Sequence, residues 1–197
     1  MARVSPRLSR QARRQQLLDT SLAIVRTEGA DGLSLPTLAE AAGVSRPIVY
    51  DHFGTRSDLL VALYRQLSDR MRTVSTEALV DAAPTAAATA RVLSTSFLVC
   101  LNEVPEWHAI AAALKGNPEL DAIEGGLCDL YAEVMVDALA PYSSLNLDDL
   151  RLRCFGAMGA ADAIGTELNR GRTDIAKAVT ALTALILGSV TVHAEVH

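Results

Sequence analysis

Arg46, Pro47 and Ile48 stand in a row directly after Ser45, and Tyr50, His52 and Arg56 follow closely. These residue types suit a DNA duplex. A guanidinium donates two hydrogen bonds to a guanine edge in the major groove, and apolar side chains meet thymine methyls. Arg46, Pro47 and Ile48 are therefore candidate base readers. Ser45, Tyr50 and His52 carry groups that bond phosphate oxygens, and Arg56 adds its charge to the free N–H groups of a helix start. Asp51 can accept from a cytosine amino group or orient Arg46. The plainer reading is also open: Gly-Val-Ser after a helix is a good cap sequence, and short helices occur in many all-α proteins.

The elements that must hold these residues are helices. Leu18, Leu22 and Val25 recur at helical spacing within a first helix over about 9–28, ended by Gly29 and the following Ala-Asp-Gly turn. Ser34 can cap a second helix with Pro36 in its first turn, where a missing N–H costs nothing. That helix stops at Gly43. Ser45 is placed to cap a third, and Thr55 with Asp58 forms a capping box for a fourth that runs toward Asp81. A third helix of so few residues is not stable alone in water. Two helices joined by a tight glycine turn describe a helix-turn-helix, whose second helix projects its N-terminal residues into the major groove. Val49 and Phe53, four apart, would face inward.

The remaining prolines suggest helices near 84–103, 105–115, 118–139, 147–170 and 173–195. No strand run or internal repeat appears. The 197 residues are 50% hydrophobic but only 4% aromatic, rich in Ala, Leu and Val, which fits an all-α fold. No stretch reaches the roughly 18 apolar residues of a membrane span. The arginine-rich start lacks the apolar core of a secretory signal, so a cytoplasmic location is expected. Cys100, Cys128 and Cys154 are odd in number and widely spaced, as suits buried free thiols. The net charge of −5 is uneven. Met1–Arg72 has 11 Lys and Arg against 7 Asp and Glu, whereas Thr73–His197 has 7 against 16. A basic segment on an acidic body is expected where one part meets a polyanion.

Residues 33–60, LSLPTLAEAAGVSRPIVYDHFGTRSDLL, resemble the DNA-binding signature of the tetracycline-repressor (TetR) family of bacterial regulators. The resemblance lies in Leu38-Ala39, Ala42-Gly43-Val44-Ser45, Val49-Tyr50, His52-Phe53, the basic residue at 56 and Asp58-Leu59-Leu60, and it covers about residues 10–65. It implies a DNA-binding domain over 1–55, with an arm at 1–8, and an all-α ligand-binding and dimerisation domain over 56–197. It also implies a homodimer that binds a palindromic operator, most often as a repressor, and releases it when a small-molecule effector moves the fourth helix. Position 48 is commonly small or hydroxylated in the family, so Ile48 would narrow the operator toward methyl-bearing edges. Arg56 replaces the commoner lysine.

In the second domain, Gly156, Gly159, Ala160 and Ala163 would let helices approach closely, and Leu182, Ile186 and Val190 repeat at helical spacing. Both helices either meet their copies in a four-helix dimer face or are buried within one subunit. Phe97, Asn102, Trp107, His108, Tyr131, Met135, Phe155 and Met158 are candidate pocket residues, though each reads more readily as plain core. Few aromatics favour an aliphatic or small mixed ligand. Gly125-Gly126 might kink its helix or mark a close crossing. His193 and His197 have metal-binding spacing but no partner residues, so no metal and no cofactor are expected. There is no nucleophile elbow, dinucleotide loop or acid/base pair, so an enzyme is disfavoured. An all-α interaction module without specific DNA binding is the other alternative.

Overall fold

The computed structural model describes residues 8–115 and 117–190. The arm at 1–8, apart from Leu8, and the pair His193 and His197 lie outside them. The described residues form nine α-helices and a 3₁₀ turn at Ala140–Tyr142, with no strand among them. They are α1 (Arg10–Gly32), α2 (Leu35–Ala41), α3 (Arg46–Phe53), α4 (Arg56–Val80), α5 (Ala86–Glu103), α6 (Trp107–Lys115), α7 (Pro118–Leu139), α8 (Leu147–Asn169) and α9 (Ile175–Val190). No helix among them is long and apolar enough to cross a membrane.

Local chemistry sets the boundaries. The Ser9 hydroxyl accepts from the Ala12 amide and starts α1, and the backbone breaks at Gly29 before one further turn. Ser34 and Thr37 close a capping box on α2. Thr55 and Asp58 close another on α4, with both amide-to-side-chain distances at 3.1 Å. Thr85 and Asn146 cap α5 and α8.

The chain forms two compact units. One comprises residues 1–66 and 106–124, the other 67–105 and 125–197. Helix α6 joins the first unit because it packs on α1. In the first unit α1 also packs on α2, and α2 on α3. Its core holds Leu17, Leu33, Leu38, Val49, Leu59, Leu60, Leu63, Ile110 and Leu114. The Tyr64 and Trp107 rings lie 5.2 Å apart. Buried Glu106 is held by the Arg26 guanidinium, which raises the arginine's pKa further.

In the second unit α5 packs along α8 and α9, which pack on each other. Leu93, Leu98, Leu101, Met135, Leu150, Cys154, Leu182, Ile186 and Val190 fill the interior. A Cβ added at Gly165 would fall 2.6 Å from Leu101 Cδ1, so α8 lies tight against α5 there. At Gly125 and Gly126 the expectation of a kink or close crossing fails. Helix α7 runs through both, and an added Cβ at either would meet nothing within 4 Å.

Candidate nucleic-acid interface

Helix α2 ends in a Schellman turn. The Val44 amide bonds the Ala39 carbonyl at 3.0 Å and the Gly43 amide the Glu40 carbonyl at 3.1 Å. Gly43 sits at φ +64°, a left-handed conformation that side-chain-bearing residues avoid. The chain re-enters a helix two residues later. Val49 and Phe53 turn inward and are 0% and 4% exposed. The opposite face stays in water: Arg46, Pro47, Ile48, Tyr50 and Asp51 are all exposed. Arg46 makes no hydrogen bond or ion pair among the described residues, so its full set of donors is free.

Ser45 stands at the N-cap, but its hydroxyl makes no capping bond. Pro47 has no N–H to offer, and the Ile48 amide bonds the Ser45 backbone carbonyl at 3.0 Å instead. The hydroxyl is thereby left for another partner.

Two expectations need correction. Asp51 does not orient Arg46; its carboxylate lies 3.4 Å from Arg10. Arg56 is not a free cation beside a helix start. Its Nε donates to the Leu33 carbonyl and a terminal nitrogen to the Ala30 carbonyl, both at 2.7 Å, and Asp31 lies 4.0 Å away. It ties α4 to the α1–α2 connection, and only its remaining donors and its charge are left for a phosphate.

The arginines of α1 do more than their charge suggested. Arg10 reaches the Asp51 carbonyl at 3.4 Å and Arg14 the His52 carbonyl at 2.9 Å. The Arg14 guanidinium also lies 4.7 Å from the Phe53 ring centre. Two cations thus meet the C-terminal carbonyls of α3, where the helix dipole favours positive charge. Nothing in the local sequence pairs positions so far apart. His52 is half-buried, and its pKa falls below the ordinary 6.5 through burial first and then the nearby Arg10, against an opposite pull from Asp51, with lesser lowering by Arg14 and Arg13. As a neutral ring it offers a phosphate one N–H.

The candidate pocket residues divide. Phe97, Tyr131, Met135 and Met158 line one small cavity of about 10 Å³, together with Leu93, Ala157, Ala161, Leu182 and Ile186. Phe97 and Tyr131 meet edge to face at 5.5 Å, and the Tyr131 hydroxyl and Ser75 Oγ are 3.0 Å apart. Burial pushes the Tyr131 pKa far up, and that of Cys154 to about 11. The other four lie elsewhere. Asn102 is exposed, Trp107 packs on Tyr64, His108 is half-buried in the other unit, and Phe155 lies under Arg151 at 5.7 Å. A cavity of about 460 Å³ opens at a place the sequence did not flag, between the end of α4, the start of α5 and the end of α7. No group of residues that could hold a metal ion occurs among the described residues.

The expected dimer face is also split. Gly156, Gly159 and Ala163 are exposed, with open space beside both glycines, and Ala160 is half-buried. Leu182, Ile186 and Val190 are instead interior to their own chain, because they line the α5–α8 side of α9. Beyond Leu147, Ile175 and Ala176 at the helix starts, the apolar residues that α8 and α9 leave outside include Leu152, 71% exposed, Leu185, 50% exposed, and the small Ala181, Ala184 and Gly188.

An eight-residue helix, sealed on one face and bare on the other, and joined to its support by a tight left-handed turn, defines a helix-turn-helix protein. Residues 17–63 match the family model described as "Bacterial regulatory proteins, tetR family". The HTH-type transcriptional regulator BetI of Rhizobium meliloti is 31% identical over 71 residues, which are 36% of this chain and 35% of that one. The match therefore spans about a third of the relative's length. The fold is similar to the fatty acid degradation regulator FadR of Bacillus halodurans, with a TM-score of 0.77 at 19% identity over 93% of this chain and 97% of that one. It is also similar to FadR of Bacillus subtilis, solved in complex with stearoyl-CoA, with a TM-score of 0.74 at 18% identity over 90% and 99%. Residues 17–63 thus carry the DNA-binding signature of the tetR family of bacterial regulatory proteins, and the chain shares the fold of both FadR structures.

Proposed function

We propose that the chain is a ligand-responsive transcriptional regulator, most simply a repressor, which binds a palindromic operator as a homodimer in the cytoplasm. One observation carries the reading: the first turn of α3 presents Arg46, Pro47 and Ile48 to solvent, and the Arg46 side chain has no partner among the described residues, while Val49 and Phe53 lock the same helix into the core. Residues 1–55 would read DNA and 56–197 would bind effector and partner. Arg46 would take a guanine edge, with Pro47 and Ile48 against thymine methyls. Ser45, Tyr50, His52 and the spare donors of Arg56 would hold phosphates on either side.

One α3 spans only a few base pairs, so two copies about 34 Å apart would read one half-site each. The exposed stripe of Leu152, Gly156, Gly159 and Ala163 on α8, with Ala181, Ala184, Leu185 and Gly188 on α9, is the face we assign to the partner copy. Gly156→Leu should shift the sedimentation profile from dimer toward monomer; an unchanged profile in both Gly156→Leu and Leu185→Glu would count against that face.

Release follows as a population shift. Helix α4 runs unbroken from Arg56 to Val80, so an effector that favours one setting of its far end changes the placement of Arg56. A coupling of about 1–3 kcal/mol between effector and operator is usual for such systems. The small molecule is not named by the fold. Stearoyl-CoA belongs to a neighbour whose likeness is one of fold. Operator binding by the purified protein, weakened by an effector that leaves the dimer intact, tests the reading.

A further inference from the structure

The 460 Å³ cavity has a lining of unusual chemistry. Leu79, Ala82, Ala83, Pro84, Val134 and Ala138 make apolar walls. The polar groups are Thr76, Thr89, Asp137 and Tyr142, and every one of them is an oxygen. Asp137 is the sole charged residue of the lining and has no ion pair among the described residues. Thr76 donates its hydroxyl proton to the Arg72 carbonyl at 2.7 Å, which leaves its lone pairs as acceptors. Thr89 is only 4% exposed, yet its hydroxyl has no hydrogen-bond partner among the described residues. No polar side-chain atom sealed from solvent lacks a partner among the described residues, so the Thr89 hydroxyl keeps some access to solvent, and Thr89 lines the cavity.

We propose that this cavity binds a small organic cation, a protonated amine on an apolar body, with the ammonium at Asp137 and its N–H groups met by hydroxyl oxygens of the lining. The lining is rich in acceptors, carries one uncompensated negative charge and offers no basic side chain. A carboxylate, phosphate or acyl-thioester ligand of a nucleotide could draw on hydroxyl protons of the lining, but it would bring negative charge to Asp137 and find no basic side chain to meet it. A protonated amine brings up to three donors and the opposite charge, a charge-assisted arrangement. The volume lies in the range of drug-sized ligand sites, and the apolar walls suit an aryl or alkyl body. The surrounding chain favours cations too, since Thr73–His197 carries 16 acidic against 7 basic residues. That the bound amine acts as effector rests on the regulator reading; that it binds does not.

The test is isothermal titration calorimetry of the full chain with 4-phenylbutylamine and octylamine, and with 4-phenylbutyrate as the matched anion. The expected result is one saturable amine site per chain, no site for the anion, and amine binding weakened by roughly tenfold or more in Asp137→Asn. Ala138→Trp, which fills the cavity from α7, should abolish it, whereas Asp148→Asn, an exposed carboxylate on α8, should leave it unchanged. Asp137 is exposed, so its variant should melt with the wild type. Failure of both amines to bind, equal binding of 4-phenylbutyrate, or undiminished amine binding by Asp137→Asn would overturn the proposal. Amine binding by a chain that ignores its upstream DNA would uphold the site and sink the regulator reading.

Discussion

Three glycines of α8 should respond to alanine in opposite ways. Alanine replaces glycine in a helix interior with a gain of about 1 kcal/mol, through propensity alone. At Gly156 and Gly159 nothing lies within 4 Å of the added Cβ, so within one chain that gain should be realised. At Gly165 the added Cβ would fall 2.6 Å from Leu101 Cδ1, with Leu101 Cβ at 3.6 Å and Cγ at 3.7 Å. Leu101 is fully buried between α5 and its neighbours and has no open side to swing into. Overpacking of such a core costs about 1–3 kcal/mol. The cost exceeds the gain, and Gly165→Ala should be net destabilising by up to about 2 kcal/mol. For a chain of this size that is a fall of a few degrees in Tm, at about 2–4 °C per kcal/mol. Far-ultraviolet circular dichroism melts of the three variants, run side by side at several protein concentrations, measure it. The reasoning would be refuted if Gly165→Ala raised Tm as much as Gly156→Ala did. Concentration dependence of Tm in Gly156→Ala would show that the outer face of α8 meets a partner copy.

Arg46→Ala should leave Tm unchanged, because the side chain has no partner among the described residues, yet cost about 1–3 kcal/mol on a specific site and relax specificity. Anisotropy against operator variants would contradict this if every sequence weakened equally. Arg56→Ala should do something different: it leaves the Leu33 and Ala30 carbonyls without their charged donor, so melting should fall by about 1–3 kcal/mol in stability before any phosphate contact is counted. Binding loss without a change in melting would assign Arg56 to DNA alone. Lowering the pH should destabilise the protein through His52. Its folded pKa lies below the ordinary 6.5, so the unfolded chain binds the proton more tightly. That contribution is complete above about 6.5 and is lost as pH falls below it. His52→Gln should flatten the urea midpoint between pH 7.5 and about 5.5 relative to wild type; identical slopes would refute it.

The helices were legible because their signals are local. Thr55 with Asp58, Ser34, Gly43 and the prolines act within a few residues of themselves, and each boundary they imply lies close to the observed one. Val49 and Phe53 were readable as inward because four residues make one helical turn. What the sequence hid is what separate elements do to each other. The Arg14 bond to His52 and the Arg56 bonds to Ala30 and Leu33 join positions that no periodicity links. Leu182, Ile186 and Val190 were rightly seen as one apolar stripe, but a stripe does not say whether its cover is α5 of the same chain or a second copy. The large cavity has no sequence signature because its walls are short side chains and a loop, whereas large aromatics fill space rather than leave it.

The central claim, that the bare first turn of α3 reads a specific duplex, is tested by fluorescence anisotropy of the purified protein. The labelled duplex comes from upstream of its own gene and is compared with a shuffled one across a salt series. The account predicts tight binding to the upstream duplex alone, persisting near physiological salt and lost in Arg46→Ala. Equal, steeply salt-sensitive binding to both duplexes, unaltered by Arg46→Ala, would contradict it.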